Sequence, residues 1–295
     1  MNEIVNGLEL SKQSWAALRQ NRQLIAFPII SMIGLIIITA LLFIPAAALL
    51  KPLLAPTGQS AQSASESDPS WLLLLVILFV YYLIAYFLVI FSNTALVGAT
   101  MKLIKDGQAT VGDGISVAMS RLGKIIVYAL ISATIGIIAR RISQSGRNSD
   151  NIIVSILAAI VGALVQGAWN LLIFFALPVM VVENLSVISS LKRSLEIFKQ
   201  TWGENFVGQT AIGGISCLIS LVILVVTGGM IAAGIALDSL PLLILGGVLM
   251  VLGFMVVGLL NGAVNGIFQA SLYQFAMTGD AGPLIETELA RKAFG

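Results

Sequence analysis

Histidine is missing from this chain, cysteine occurs once, and charge is scarce. Without histidine, serine–histidine and cysteine–histidine nucleophile systems are excluded. With Cys217 alone, neither an intrachain disulfide nor a cysteine/histidine metal centre can be built. Charged residues make up 10% of the 295 positions, against about 25% in an ordinary soluble domain. The net charge of +2, carried by dispersed basic residues, leaves no electrostatic footprint for nucleic acid. In place of charge there is apolar surface: 58% of the residues are hydrophobic and the mean hydropathy is +1.00. The outside of a water-soluble body must be largely polar, so it could not hide this much. Lipid accepts it, provided every backbone group is paired within helices. The expectation is an all-α transmembrane bundle.

Crossing the hydrocarbon takes about 20 apolar residues. Six stretches qualify: 24–50, 71–98, 122–142, 152–182, 207–236 and 242–270. The first far exceeds the h-region of a signal peptide, roughly 7–15 residues, and reads as an uncleaved span. The third is the weakest. It either crosses with Arg121, Lys124, Arg140 and Arg141 snorkelling at its ends, or is a re-entrant or surface-lying segment. An inside N-terminus leaves Lys51, Arg140, Arg141 and Arg147 outside and the other twelve of the sixteen Lys and Arg inside. That satisfies the positive-inside rule and puts both termini in the cytoplasm. Residues 51–70, rich in Ser, Ala and Gln, read as a flexible outer loop. Arg147 to Asp150 reads as a polar turn, and Asp238 to Pro241 as a tight one.

Between the spans, Ile188, Leu191, Leu195, Phe198 and Trp202 recur at helical spacing, with Lys192, Arg193, Glu196 and Lys199 on other faces. A helix of this kind lies on the inner headgroup layer. Shorter versions run through Val111, Ile115, Ala118 and Leu122, and through Ile4, Leu8, Trp15 and Leu18. Trp15, Trp71 and Trp202 are the expected interfacial anchors. Lys12-Gln-Ser-Trp15 echoes Lys199-Gln-Thr-Trp202, which suggests a unit of amphipathic segment plus hairpin used three times. The chain then reads as one integral membrane domain. It has a cytoplasmic segment 1–23, a hairpin 24–98, a second unit 99–182, a third unit 183–279 and a cytoplasmic tail 280–295.

No Asp, Glu, Lys or Arg lies well inside any span, which argues against a proton-coupled carrier. The interior polar groups are amides on small-residue stripes. Gly258, Gly262 and Gly266 repeat every fourth residue beside Asn261, Asn265 and Gln269; Ala159, Ala163 and Gly167 do so beside Gln166 and Asn170; Asn93 shares a stripe with Tyr82 and Tyr86. The small residues predict close helix packing. The amides serve either as interhelical hydrogen-bond glue or as a polar seam between the second, fourth and sixth spans. No carboxylate spacing forms an acid/base pair, P-loop or calcium loop, and no cofactor or metal is implied. Lys105-Asp-Gly107 and Thr278-Gly-Asp280 read as turns that end long helices.

Ser14-Trp15, Arg19, Phe27-Pro28, Phe91-Ser-Asn93-Thr-Ala95, Asp113-Gly114 with Ala118, Ala168-Trp169-Asn170, Pro178, Lys192-Arg193-Ser194 and Thr201-Trp202-Gly203-Glu204 are spread over residues 10–215. In these the chain resembles a family of bacterial and archaeal multi-pass membrane proteins known only as a domain of unknown function. The resemblance implies a six-helix architecture and no particular activity. The functional expectation is a non-enzymatic scaffold or partner subunit of the bacterial cytoplasmic membrane. It would be in contact with lipid and with other membrane subunits or further copies of itself. The alternative is a channel or carrier for a neutral or lipidic substrate, lined by the six amides.

Overall fold

The structure is a computed structural model that describes residues 2–54, 69–145, 152–202 and 208–294. Among these residues all regular structure is helical. The helices are α1 (Asn2–Gln20), a 3-10 turn (Arg22–Ile25), α2 (Ala26–Leu54), α3 (Pro69–Asp106), α4 (Val111–Met119) and α5 (Leu122–Ser145). They continue as α6 (Ile152–Ile173), α7 (Ala176–Val182), α8 (Val187–Trp202), α9 (Gly208–Ala236), α10 (Leu240–Thr278) and α11 (Thr287–Phe294).

Among the described residues, four stretches are long and apolar enough to cross a membrane: Arg22–Leu42, Val76–Asp106, Ser216–Ala236 and Leu240–Thr278. A fifth is added if α4 and α5, interrupted at Ser120 and Arg121, form one broken span. The segment 152–182, expected as a single crossing, is divided in two: α6 ends at Ile173 and α7 begins at Ala176. Pro178 supplies the reason. It has no N–H to give to the carbonyl four residues back, at Phe174, and its ring crowds that carbonyl. The displaced backbone is held from outside the helix, because the Phe175 N–H donates to Ser194 Oγ of α8 at 3.0 Å.

The chain forms two compact units. The first comprises Met1–Ile29, Asn93–Ser120 and Leu171–Gly295. Here α10 packs against α9, α1 lies on α9, α10 and α11, and α7 packs on α8. Its core holds Leu18, Leu24, Phe27, Leu96, Phe175, Met180, Ile267, Phe268 and Tyr273. The rings of Phe174 and Phe175 meet edge-on at 4.6 Å. On α8 the buried line is Val187, Ser190, Ser194 and Ile197, one helical face. The neighbouring stripe picked out in the sequence is covered less: Ile188 is 53% exposed, and Leu191, Leu195 and Phe198 are half-buried.

Close approach in this unit depends on glycine at a few positions. A Cβ on Gly266 would collide with Leu96 of α3, and one on Gly114 with the Ala95 carbonyl and the Phe27 ring. Between α9 and α10 the tight positions are Gly234 against Leu243, Gly246 against Met230 and Ile231, and Gly253 against Ile223. Gly258 and Gly262 have nothing within 4 Å among the described residues. Of the three glycines in the predicted stripe, therefore, only Gly266 carries close packing. The glycines facing α9 are 246 and 253, seven apart, a spacing that keeps successive contacts on one side of a helix.

Helix ends follow the sequence. Gly107 and Gly279 close α3 and α10 with φ of 74° and 75°, and their N–H groups donate to the carbonyls of Leu103 and Phe275 at 3.0 and 2.8 Å. Only glycine takes that backbone without strain. Thr110 and Asp113 form a reciprocal capping box on α4, as that motif does elsewhere. Asp238 (φ 49°) turns α9 into α10, and Pro241 falls in the first turn of α10.

The second unit comprises Ile30–Ser92 and Arg121–Asn170. Leu88 of α3 fits over Gly34 of α2, and the Tyr86 hydroxyl lies over Gly136 of α5. Ile125, Ala129, Ser132 and Ala133 form the buried face of α5. Tyr128 packs edge-on to Trp169 at 6.4 Å. Apolar residues such as Ile37, Val76 and Leu164 are at least half exposed. The loop expected at 51–70 is helical where described, its first residues in α2 and its last in α3; 55–68 and the expected turn at 147–150 lie outside the described residues.

Gly266→Val is expected to cost about 1–3 kcal/mol through overpacking against Leu96, measured as unfolding in detergent. Gly258→Ala is expected to stay within about 0.5 kcal/mol of the parent. Equal costs at the two positions would overturn this assignment of the packing face.

Candidate functional site

Polar side chains of the first unit are used in pairs that tie distant segments together. Lys102 of α3 and Asp113 of α4 form a 2.6 Å ion pair. Gln23 donates from the 3-10 turn to the Ala109 carbonyl. Gln13 of α1 exchanges two hydrogen bonds with Glu286, accepting from its backbone N–H at 2.8 Å and donating to its carboxylate at 3.3 Å. The Glu183 carboxylate accepts from the Tyr273 hydroxyl at 2.9 Å and meets Arg193 Nε at 3.5 Å. Arg193 also reaches Glu196 at 3.3 Å. Glu183 thereby joins the end of α7 to α8 and α10. Among the described residues no three Asp, Glu, Cys or His side chains are placed to hold a metal ion.

The six amides fall in both units. Asn93, Asn261, Asn265 and Gln269 belong to the first, Gln166 and Asn170 to the second. Asn265 donates to Asn261 Oδ1 at 3.0 Å, and Gln166 donates to Asn170 Oδ1 at 3.1 Å. Both are pairs one helical turn apart on the same helix. Asn93, Asn261, Asn265 and Gln269 are half-buried, whereas Gln166 and Asn170 are exposed. Gly167 beside them has nothing within 4 Å among the described residues. The side chains of Ala159, Ala163, Trp71 and Trp202 lie outside the described set. Trp15 is half-buried, and the Arg19 guanidinium lies 5.8 Å from its ring centre, a cation–π distance.

The first unit also holds a cavity that the sequence reading does not foresee. It is a groove of about 710 Å³ between α1, α9 and α10. Ile219 and Ile223 of α9 form one wall, and Leu249, Leu252, Val256, Val257 and Leu260 of α10 the other, with Gly253 between them. Among the described residues its polar lining is Lys12, Trp15, Ser216 and Asn261. The volume is within the usual range of ligand sites, about 300–1,000 Å³. Lys12, Trp15 and Arg19 share one stripe of α1 by their three- and four-residue spacing. Of the groove's lining, Trp15 as an interfacial anchor and Asn261 as a seam amide are singled out by the sequence.

At the end of α10 the Asp280 carboxylate accepts from the Thr287 hydroxyl at 2.6 Å and from the Gly282 N–H at 3.0 Å. The Thr287 hydroxyl, and then the Gly282 amide, hold this carboxyl below the usual carboxylate range. A depressed value means the stabilisation is complete above the ordinary carboxylate pKa and is lost as the pH falls through the folded value. A nitroxide label at position 291 is therefore expected to keep its mobility down to about pH 4 and to loosen only in stronger acid. Asp280→Asn should loosen it at neutral pH. Tyr273→Phe, which removes a bond to a charged acceptor, should cost about 1.5–3 kcal/mol of stability in detergent.

No curated protein matches this chain. Residues 72–283 match a family of unknown function, DUF6159, a match that takes in α3 to α10 with the groove walls and the Glu183 junction. The chain belongs to that family.

Proposed function

We propose that the protein is a non-enzymatic scaffold or partner subunit of a bacterial cytoplasmic membrane, with both termini on the cytoplasmic side. The observation that carries this reading is the use made of its polar groups. Glu183, Asp113, Asp280 and Gln13 are each engaged in joining one segment to another. The Asn261–Asn265 and Gln166–Asn170 amides are paired along their own helices. Side chains engaged in this way hold a shape. The remaining surface is a broad apolar exterior on α2, α3, α9 and α10, suited to lipid and to other membrane helices. In this reading α8, with its buried line and half-covered apolar stripe, rests on the inner headgroup layer.

A second reading, a carrier of a neutral or lipidic substrate, draws on the groove lined by α9 and α10. Reconstitution in liposomes separates the two. The scaffold reading expects no acceleration of neutral-solute flux or phospholipid flip over protein-free vesicles. Acceleration that Asn261→Leu abolishes would replace it with the carrier. For orientation, in a Cys217→Ser background, a membrane-impermeant maleimide added to intact cells should label a cysteine at 147 and spare one at 12. The reverse pattern would overturn the assigned topology.

A further inference from the structure

We propose that the groove between α1, α9 and α10 is a binding site for one anionic phospholipid. Its acyl chains lie along α9 and α10, and its headgroup lies at Lys12 and Trp15. The proposal deepens the membrane-scaffold reading and rests on it for the leaflet involved.

The register of the two walls sets the direction. Gly253 meets Ile223 and Gly234 meets Leu243, so α9 and α10 run antiparallel and Ser216 falls level with the Asn261 turn. All four polar lining residues are therefore at one end, where α1 crosses. From Asn261 to Leu249 the lining becomes wholly apolar. Those twelve residues of helix cover about 18 Å at 1.5 Å each, a depth suited to the upper part of an acyl chain. The faces on either side are apolar and open, with Leu221, Val222, Val225 and Val251 all more than half exposed. In a bilayer they meet hydrocarbon, so the occupant must be apolar along most of its length and polar at one end.

The polar end selects for negative charge. Lys12 makes no ion pair among the described residues, whereas Arg19 on the same stripe is held over Trp15 and does not line the groove. Glu9, one turn earlier, is exposed and does not line the groove. A tryptophan beside a lysine is the pairing favoured at the membrane–water boundary. With α1 on the cytoplasmic side, these groups face the leaflet that carries anionic lipid.

The test is native mass spectrometry of the purified full chain in neutral detergent, titrated separately with phosphatidylglycerol and phosphatidylcholine of identical acyl chains. One phosphatidylglycerol should be held about fivefold more tightly, the preference one basic side chain near a headgroup supplies. Lys12→Gln should bring the ratio close to one. Leu252→Trp and Val256→Phe, at positions 52% and 53% exposed, should weaken both lipids while leaving the melting temperature in detergent within a few degrees. Equal binding of the two lipids, a preference that survives Lys12→Gln, or binding untouched by both wall variants would overturn the site. Flux in liposomes is a separate readout. Facilitated transport would remove the scaffold reading with the lipid site intact, and a lost headgroup preference would remove the site with the scaffold intact.

Discussion

Leu96 of α3 occupies the space that any side chain at position 266 of α10 would need. Much of the first unit depends on contacts of this kind. In water, apolar helices associate because burial removes surface from solvent; in a bilayer the lipid is as apolar as the helix, and steric fit must supply what the solvent does not. The first unit meets that requirement with glycine and small hydroxyl residues. Gly114 admits the Phe27 ring, Gly253 admits Ile223, and Ser14, Ser190 and Ser271 are wholly or almost wholly buried. The second unit meets it with Gly34 under Leu88 and Gly136 under Tyr86.

Polar groups then act where small residues cannot. α7 is a short, almost wholly buried helix, and a segment of that length has little stability of its own. Ser194 holds its first turn through the Phe175 N–H, and Glu183 holds its last through Tyr273 and Arg193. This short helix is therefore fixed at both ends by side chains from its neighbours. In the same way the turn after α10 is fixed by Asp280 and Thr287 and joined to α1 through Gln13 and Glu286. Glu183, Arg193, Asp280 and Glu286 thus serve as joints between helices.

Much of this was legible in the sequence, for reasons that vary with the residue. Helix ends at Gly107 and Gly279 were readable because glycine's backbone freedom is a local property. The long apolar stretches in α2, α3, α9 and α10 were readable because length and composition set them. The division of 152–182 was half readable: Pro178 marks a weakness, but only the distant Ser194 determines how the break is held. Which glycines pack was not readable, since Gly258 and Gly266 look alike until Leu96 is placed beside one of them. The buried line of α8 was not readable, because serines at 190 and 194 are polar by composition and core by location. The groove was the least accessible feature. It needs the register of α9 against α10 and the placement of α1 across them, and leucine, isoleucine and valine line it and the open exterior alike.

The contact between Leu96 and Gly266 also orders events during synthesis. Position 96 emerges from the ribosome more than half a chain ahead of position 266, so α3 is in the membrane long before the face it fits exists. Until then the close contacts open to that part of α3 are those near in sequence, such as Val117 of α4 against Gly98. The first unit closes only when α10 arrives, and a chain that stops short of it leaves the Leu96 face of α3 without the helix that fits it.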